Sequence, residues 1–159
     1  MSNYDFSSGT AGSGLYKVVE SSGYILRKHV INFADAVTVK GSPLAAGDTI
    51  DILSLNVGEF VDFCSSRVIT AGTAASTATV GDQSSAAGLI ASVACDAVTG
   101  TLVPGSGALL QNGLTPFNIL GKYYTAANTV RLTLGATPPQ TGVIEFVVGV
   151  IQIYTHVTI

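Results

Sequence analysis

The sequence predicts an all-β fold, an antiparallel β-sandwich or barrel. Three observations carry the prediction. Alternating or β-branched apolar runs recur every ~8–15 residues. Gly, Pro and Asn turn signals separate them, with little helical patterning anywhere. No internal repeat of roughly 20–50 residues is present, which argues against a propeller or solenoid.

Residues 1–23 are rich in Ser and Gly and poor in charge, and only the cluster Leu15-Tyr16-Lys17-Val18-Val19 interrupts them. They read as an extended N-terminal arm that docks on a neighbour, or as a frayed terminus. A single domain over 24–159 follows. Tyr24–Phe33 is a first strand and Val37–Lys40 a short second one. Lys40–Gly47 is a loop, by its Gly and Pro.

Thr49–Leu55 is the next strand, and it decides the standing of two nearby carboxylates. Side chains alternate faces along a strand. Asp48 and Asp51 therefore point to opposite faces and form no dyad. Asp48 belongs to a Gly-Asp turn and Asp51 lies near the solvent end; both read as solvated. Asn56–Glu59 is a compact turn. Phe60–Cys64 begins a strand that Arg67–Thr70 continues, with a bulge expected at Ser65-Ser66.

Ser76–Asp82 is a strand closed by a Gly-Asp turn. Ala87–Val93 fits a strand or a short helix. Ala97–Gly121 is Gly/Pro-rich and reads as a projecting loop. After Tyr123-Tyr124 comes an alternating strand with Val130, Leu132 and Leu134 on one face and Arg131 and Thr133 on the other. Val143–Ile159 is the longest β run. Its first half is apolar on both faces, as in a central, buried strand, and Gly149 marks a bend or bulge.

The composition favours an assembly component over a monomer with a quiet surface. Charged residues make up 11% of the 159, against about 25% in a typical domain. A low-charge surface costs little to desolvate when another subunit covers it. The net charge is −3, and the densest basic run is Arg27-Lys28-His29. Nucleic acid normally requires a basic face, so it is not an expected partner. The longest apolar run is broken by Glu145 and Gln152 and is too short to span a bilayer, so no membrane is expected. The N-terminus lacks a basic start and an apolar core, which argues against a secretory signal and for folding in a cytoplasm. Cys64 and Cys95 read as two buried thiols, with a single disulfide as the other reading.

Catalytic motifs are not found. There is no Gly-x-Ser-x-Gly elbow, no phosphate loop and no Gly-x-Gly-x-x-Gly. His29 and His156 lie in separate predicted strands without a third zinc ligand, and thiols in apolar strands are usually inert. Gly81-Asp82-Gln-Ser-Ser offers at most one carboxylate to calcium, and the remaining carboxylates read as solvated turn residues. The protein is therefore not expected to be an enzyme, to bind a metal or to carry a cofactor.

Three segments carry a resemblance. They are Gly-Asp-x-x-Asp-Ile-Leu-x-Leu-x-x-Gly at 47–58, Thr-Ala-Gly-Thr-Ala-Ala…Thr-Val-Gly-Asp at 70–82, and Tyr-Tyr-Thr-Ala-Ala-Asn-Thr-Val-x-Leu-Thr-Leu at 123–134. In this order, over roughly residues 40–159, the chain resembles the small capsid decoration, or cement, proteins of tailed bacteriophages. The resemblance implies a jelly-roll sandwich and a virion protein assembled in the host cytoplasm. It implies binding to the outer capsid surface, strengthening of contacts between major capsid protein subunits, and a homotrimer. On that reading Tyr4, Phe6, Leu15 and Tyr16 of the arm are the candidate capsid contacts. A tail or head–neck component and a receptor- or glycan-binding sandwich stand as alternatives; the lack of Trp counts against the last.

Overall fold

The computed structural model describes residues 24–110 and 121–152 in full, with the backbone of two strands ahead of them. In chain order the elements are β1 (Asn3–Asp5), β2 (Tyr16–Ser21), β3 (Tyr24–Asn32), α1 (Phe33–Lys40), β4 (Thr49–Leu55), β5 (Glu59–Thr70) and β6 (Thr77–Gly81). They continue with β7 (Ile90–Ala94), β8 (Leu102–Pro104), β9 (Lys122–Tyr123), β10 (Asn128–Leu134) and β11 (Val143–Gln152). The fold is an all-β sandwich. One sheet has five strands in the order β1-β4-β10-β6-β7. The other has six, in the order β2-β3-β11-β5-β8 with β9 also on β5. All pairings are antiparallel except β1 with β4.

Both sheets obey the period of two. On β10, Val130, Leu132 and Leu134 are buried, while Arg131 and Thr133 are half-buried on the other side. On β11, Ile144, Phe146, Val148 and Val150 turn inward and meet Ile50, Ile52, Leu55, Val80 and Ile90 of the opposite sheet in one core. β11 is the central strand its composition predicted, held between β3 and β5. The expected run to Ile159 is a strand to Gln152; residues 153–159 lie outside the described residues.

Gly149 does mark a bulge. The extra residue is Asp62 on β5, because Gly149 pairs with Phe63 and Val150 with Val61. A methyl group on Gly149 would come within 2.3 Å of the Tyr24 hydroxyl and 2.9 Å of the Phe63 Cβ. A second bulge falls at Ile69. β5 therefore runs unbroken from Glu59 to Thr70, and its irregularities flank Ser65-Ser66 instead of lying on them.

Two further expectations are corrected. Val37–Lys40 is the end of a helix, not a strand. The Asn32 side chain accepts from the Ala34 N–H at 3.1 Å, Asp35 and Lys40 suit the helix dipole, and Gly41 ends the helix in a left-handed conformation (φ 73°). Phe33 and Ala36, one turn apart, are fully buried. Caps and packing thus override the β-branched Val-Thr-Val. The first part of the expected projecting loop is pinned down: β8 pairs with β5, and Leu110 is buried in the core. Residues 111–120 lie outside the described residues. Of the ambiguous Ala87–Val93 segment, Ile90–Val93 belong to β7 and the three residues before them form a turn.

Candidate interaction surface

The charged residues are organised in a way the sequence did not show. Six of the seven Lys and Arg residues lie in the fully described regions, and each pairs with a buried carboxylate. Lys40 lies 2.5 Å from Asp48, Lys122 2.5 Å from Asp82, and Arg131 3.0 Å from Asp51. Arg27 pairs with Glu59 and also reaches the Ser54 carbonyl of the opposite sheet at 3.3 Å. Lys28 and Arg67 share Glu145, Arg67 at 2.9 Å.

This corrects the reading of these acids as solvated. Asp48 and Asp51 are buried, at 3% and 7% exposure. They do form no dyad, since each has its own cation. Their burial follows from cross-strand partners: Arg131 is the register neighbour of Asp51, and Lys40 reaches back from the helix end.

Asp82 is the most elaborated site. Its carboxylate accepts from Lys122, the Tyr124 hydroxyl (3.0 Å), the Ser84 hydroxyl (2.7 Å) and the Ser84 and Ser85 amides. Burial alone would raise its pKa, but Lys122 and the Ser84 and Tyr124 hydrogen bonds outweigh burial and hold it at about 2. The Tyr124 phenol is pushed far up by burial and by Asp82. At neutral pH an ionised acid facing a protonated phenol and a lysine is a strut between β9 and the β6–β7 turn. Neither Asp82 nor Tyr124 titrates near neutral pH, where a general acid or base would work.

The nucleophile candidates are equally quiet. Cys64 and Cys95 are free and buried, and burial pushes both thiols up to about 12. His29 is buried on the inner side of β3, and His156 lies outside the described residues. No group of three or more His, Cys, Asp or Glu among the described residues could hold a metal. No helix there is long and apolar enough to cross a membrane.

The outer faces of the two sheets differ. The five-stranded sheet presents Thr49, Thr77, Thr79, Thr129 and Thr133 around the Asp51–Arg131 pair. Its open cleft of about 240 Å³ is lined by Thr49, Thr133, Arg131, Gln83 and Ser84 and by no aromatic ring. The outer side of the six-stranded sheet carries apolar side chains beside the Lys28–Glu145–Arg67 group. By register, Leu26 and Tyr24 of β3, Val147 and Ile151 of β11, Phe60 and Phe63 of β5, Leu102 of β8 and Tyr123 of β9 share its outer side. Among the candidate contacts named from sequence, Tyr4 lies on β1 beside Ile50 and Tyr16 on β2 beside Lys28. Phe6 and Leu15 lie outside the described residues.

No protein-family model matches the chain, and no curated protein sequence does. Its fold is similar to chains in three solved phage capsids. One is a chain of the acidic stable capsid structure of Helicobacter pylori bacteriophage KHP30. The match has 13% identity and a TM-score of 0.54, over 87% of this chain and 92% of that one. The second belongs to the capsid of Ralstonia phage GP4, at 17% identity and TM-score 0.55, over 89% and 93%. The third belongs to the cyanophage Pam1 capsid asymmetric unit, at 17% identity and TM-score 0.55, over 91% and 96%. At these identities the likeness is one of fold.

Proposed function

We propose that this chain is a structural, non-enzymatic virion protein of jelly-roll type. It binds the outer surface of a phage capsid and stabilises contacts between major capsid protein subunits, as a homotrimer. One observation carries the reading: the fold matches chains of three phage capsids over 92–96% of those chains and 87–91% of this one. The likeness is therefore to a whole small capsid chain and not to a domain of a larger one. The low charge agrees with a structural role.

The physical logic is linkage. A protein that binds the assembled shell but not its dissociated subunits stabilises the shell by mass action. A threefold assembly matches threefold positions of a shell, and avidity multiplies its contacts. Tyr4, Phe6, Leu15 and Tyr16 of the arm remain proposed contacts. The test is the copy number of this chain in purified virions, by quantitative mass spectrometry against the major capsid protein. A ratio near one to one supports the proposal. About six or twelve copies per virion assigns the chain to the tail or neck, and its absence from virions overturns the reading.

A further inference from the structure

The charges on the outer face of the six-stranded sheet come as a matched set. On β3, β5 and β11 that side carries two cations, Lys28 and Arg67, and two acids, Asp62 and Glu145. A methyl on Gly149, which faces outward between the inward Val148 and Val150, would lie 2.9 Å from Asp62 Oδ1, and this fixes Asp62 on the outer side. Lys28 and Arg67 share the one Glu145 carboxylate, and the Arg67 side chain remains 48% exposed. Asp62 has no cation. The Tyr24 hydroxyl bonds it, and its Oδ1 meets no donor. The under-compensated base and the unpaired acid stand five residues apart on β5, roughly 15 Å along the strand.

A twofold axis in the plane of contact, crossing β5 at right angles near Ser65, runs two copies of that strand antiparallel. Arg67 of each copy then meets Asp62 of the other, so one operation answers both needs twice. With two cations and two acids the face is neutral, and pairing it with itself buries no net charge. Any other partner would need an acid and a base at this same spacing on an apolar patch, and the face itself meets that requirement. Apolar side chains surround the two charges: Phe63, Leu102 and Tyr123 on β5, β8 and β9 are all exposed, Leu102 at 62%. β5 has 12 residues, so at ~3.3 Å each the face is about 40 Å long, and with its neighbouring strands it is about 14 Å wide. Side-chain relief brings that toward the ~800 Å² each partner contributes to a stable interface.

We propose that the outer face of the six-stranded sheet is a twofold self-contact, in which Arg67 of one copy pairs with Asp62 of a second and the apolar side chains around them pack together. The contact is separate from the threefold assembly proposed above and does not rest on the capsid reading. Combined with a threefold it gives a pair of trimers, and alone it gives a pair of chains. Sedimentation equilibrium of the free protein tests it. The wild type should contain an even number of copies, about two or six. Leu102→Glu, Asp62→Asn and Arg67→Gln should each raise the dissociation constant of that contact roughly tenfold. Thr77→Glu on the opposite sheet should leave it unchanged, and melting curves should show every variant folded. The double variant Asp62→Asn/Arg67→Gln should be little weaker than either single, because the two side chains meet each other across the contact. A wild type of one or three copies overturns the proposal. So does an even assembly that none of the three variants weakens, or a double variant whose loss is the product of the two singles. Loss of binding to shells of the major capsid protein by Leu102→Glu, with no change in the mass of the free protein, would give the face to the shell instead and overturn it as well.

Discussion

Lys122 on β9 holds its Nζ 2.5 Å from Oδ2 of Asp82, forty residues earlier in the chain, and the Asp82 side chain has no solvent exposure. Removing one member of such a pair leaves a buried charge without compensation. Lys122→Met and Asp82→Asn should each lower the unfolding free energy by about 3 kcal/mol. The double variant should cost at least ~1 kcal/mol less than the sum of the singles. Urea denaturation of the four proteins measures the cycle; strict additivity would mean the two side chains do not interact.

The same carboxyl gives a pH dependence with a definite sign. Its folded pKa of about 2 lies below the ordinary aspartate value. Its contribution is therefore complete above about pH 4 and disappears as the pH falls toward 2. The loss should be about 2–3 kcal/mol. Denaturant midpoints between pH 5 and 2 should fall less steeply in Asp82→Asn than in the wild type. Parallel curves would remove Asp82 from the acid response.

Gly149→Ala should destabilise by about 1–3 kcal/mol, because the new methyl overlaps the Tyr24 hydroxyl, Asp62 and Phe63 on a central strand. Part of the clash is with a phenolic tip. In a Tyr24→Phe background the same substitution should cost measurably less in thermal melts. Equal costs would place the conflict at the Asp62 and Phe63 side chains of β5.

The ends of α1 are separately testable. Asn32→Ala removes the acceptor for the Ala34 amide and should cost about 1 kcal/mol, with Asn32→Asp near neutral. Gly41→Ala has open space for its methyl but a φ of 73°, so the strain is in the backbone alone, at about 1 kcal/mol. Two-state unfolding of these variants gives both values.

Cys64 and Cys95 should resist a thiol reagent at pH 8 in the native protein and give two equivalents per chain once unfolded. Burial and a pKa of about 12 act in the same direction. Rapid native labelling would show that one of the two strands opens locally.

Much of the sandwich was legible because its signals are local. The alternation of Val130, Leu132 and Leu134 fixed the inner face of β10, and the two-sided apolarity of Val143–Val150 marked a central strand. The helix was missed because Val37-Thr38-Val39 suggests strand, while the deciding signals, Asn32 and Gly41, lie just outside it. The ion pairs were missed for a different reason. Arg27–Glu59, Lys122–Asp82 and Arg131–Asp51 join residues that meet only once sheet order and register are set. The exposed Leu102 and Tyr123 likewise join the outer side of β5 only after β8 and β9 are laid against it.

The pairing of six cations with internal carboxylates also shapes how the molecule meets anything else. Charges cancelled at contact distance project little field past one Debye length, about 8 Å in physiological salt. Encounters should then proceed at the unsteered rate of about 10⁵–10⁶ M⁻¹s⁻¹ and change little with ionic strength. Such a molecule finds its place by shape and apolar contact after collision.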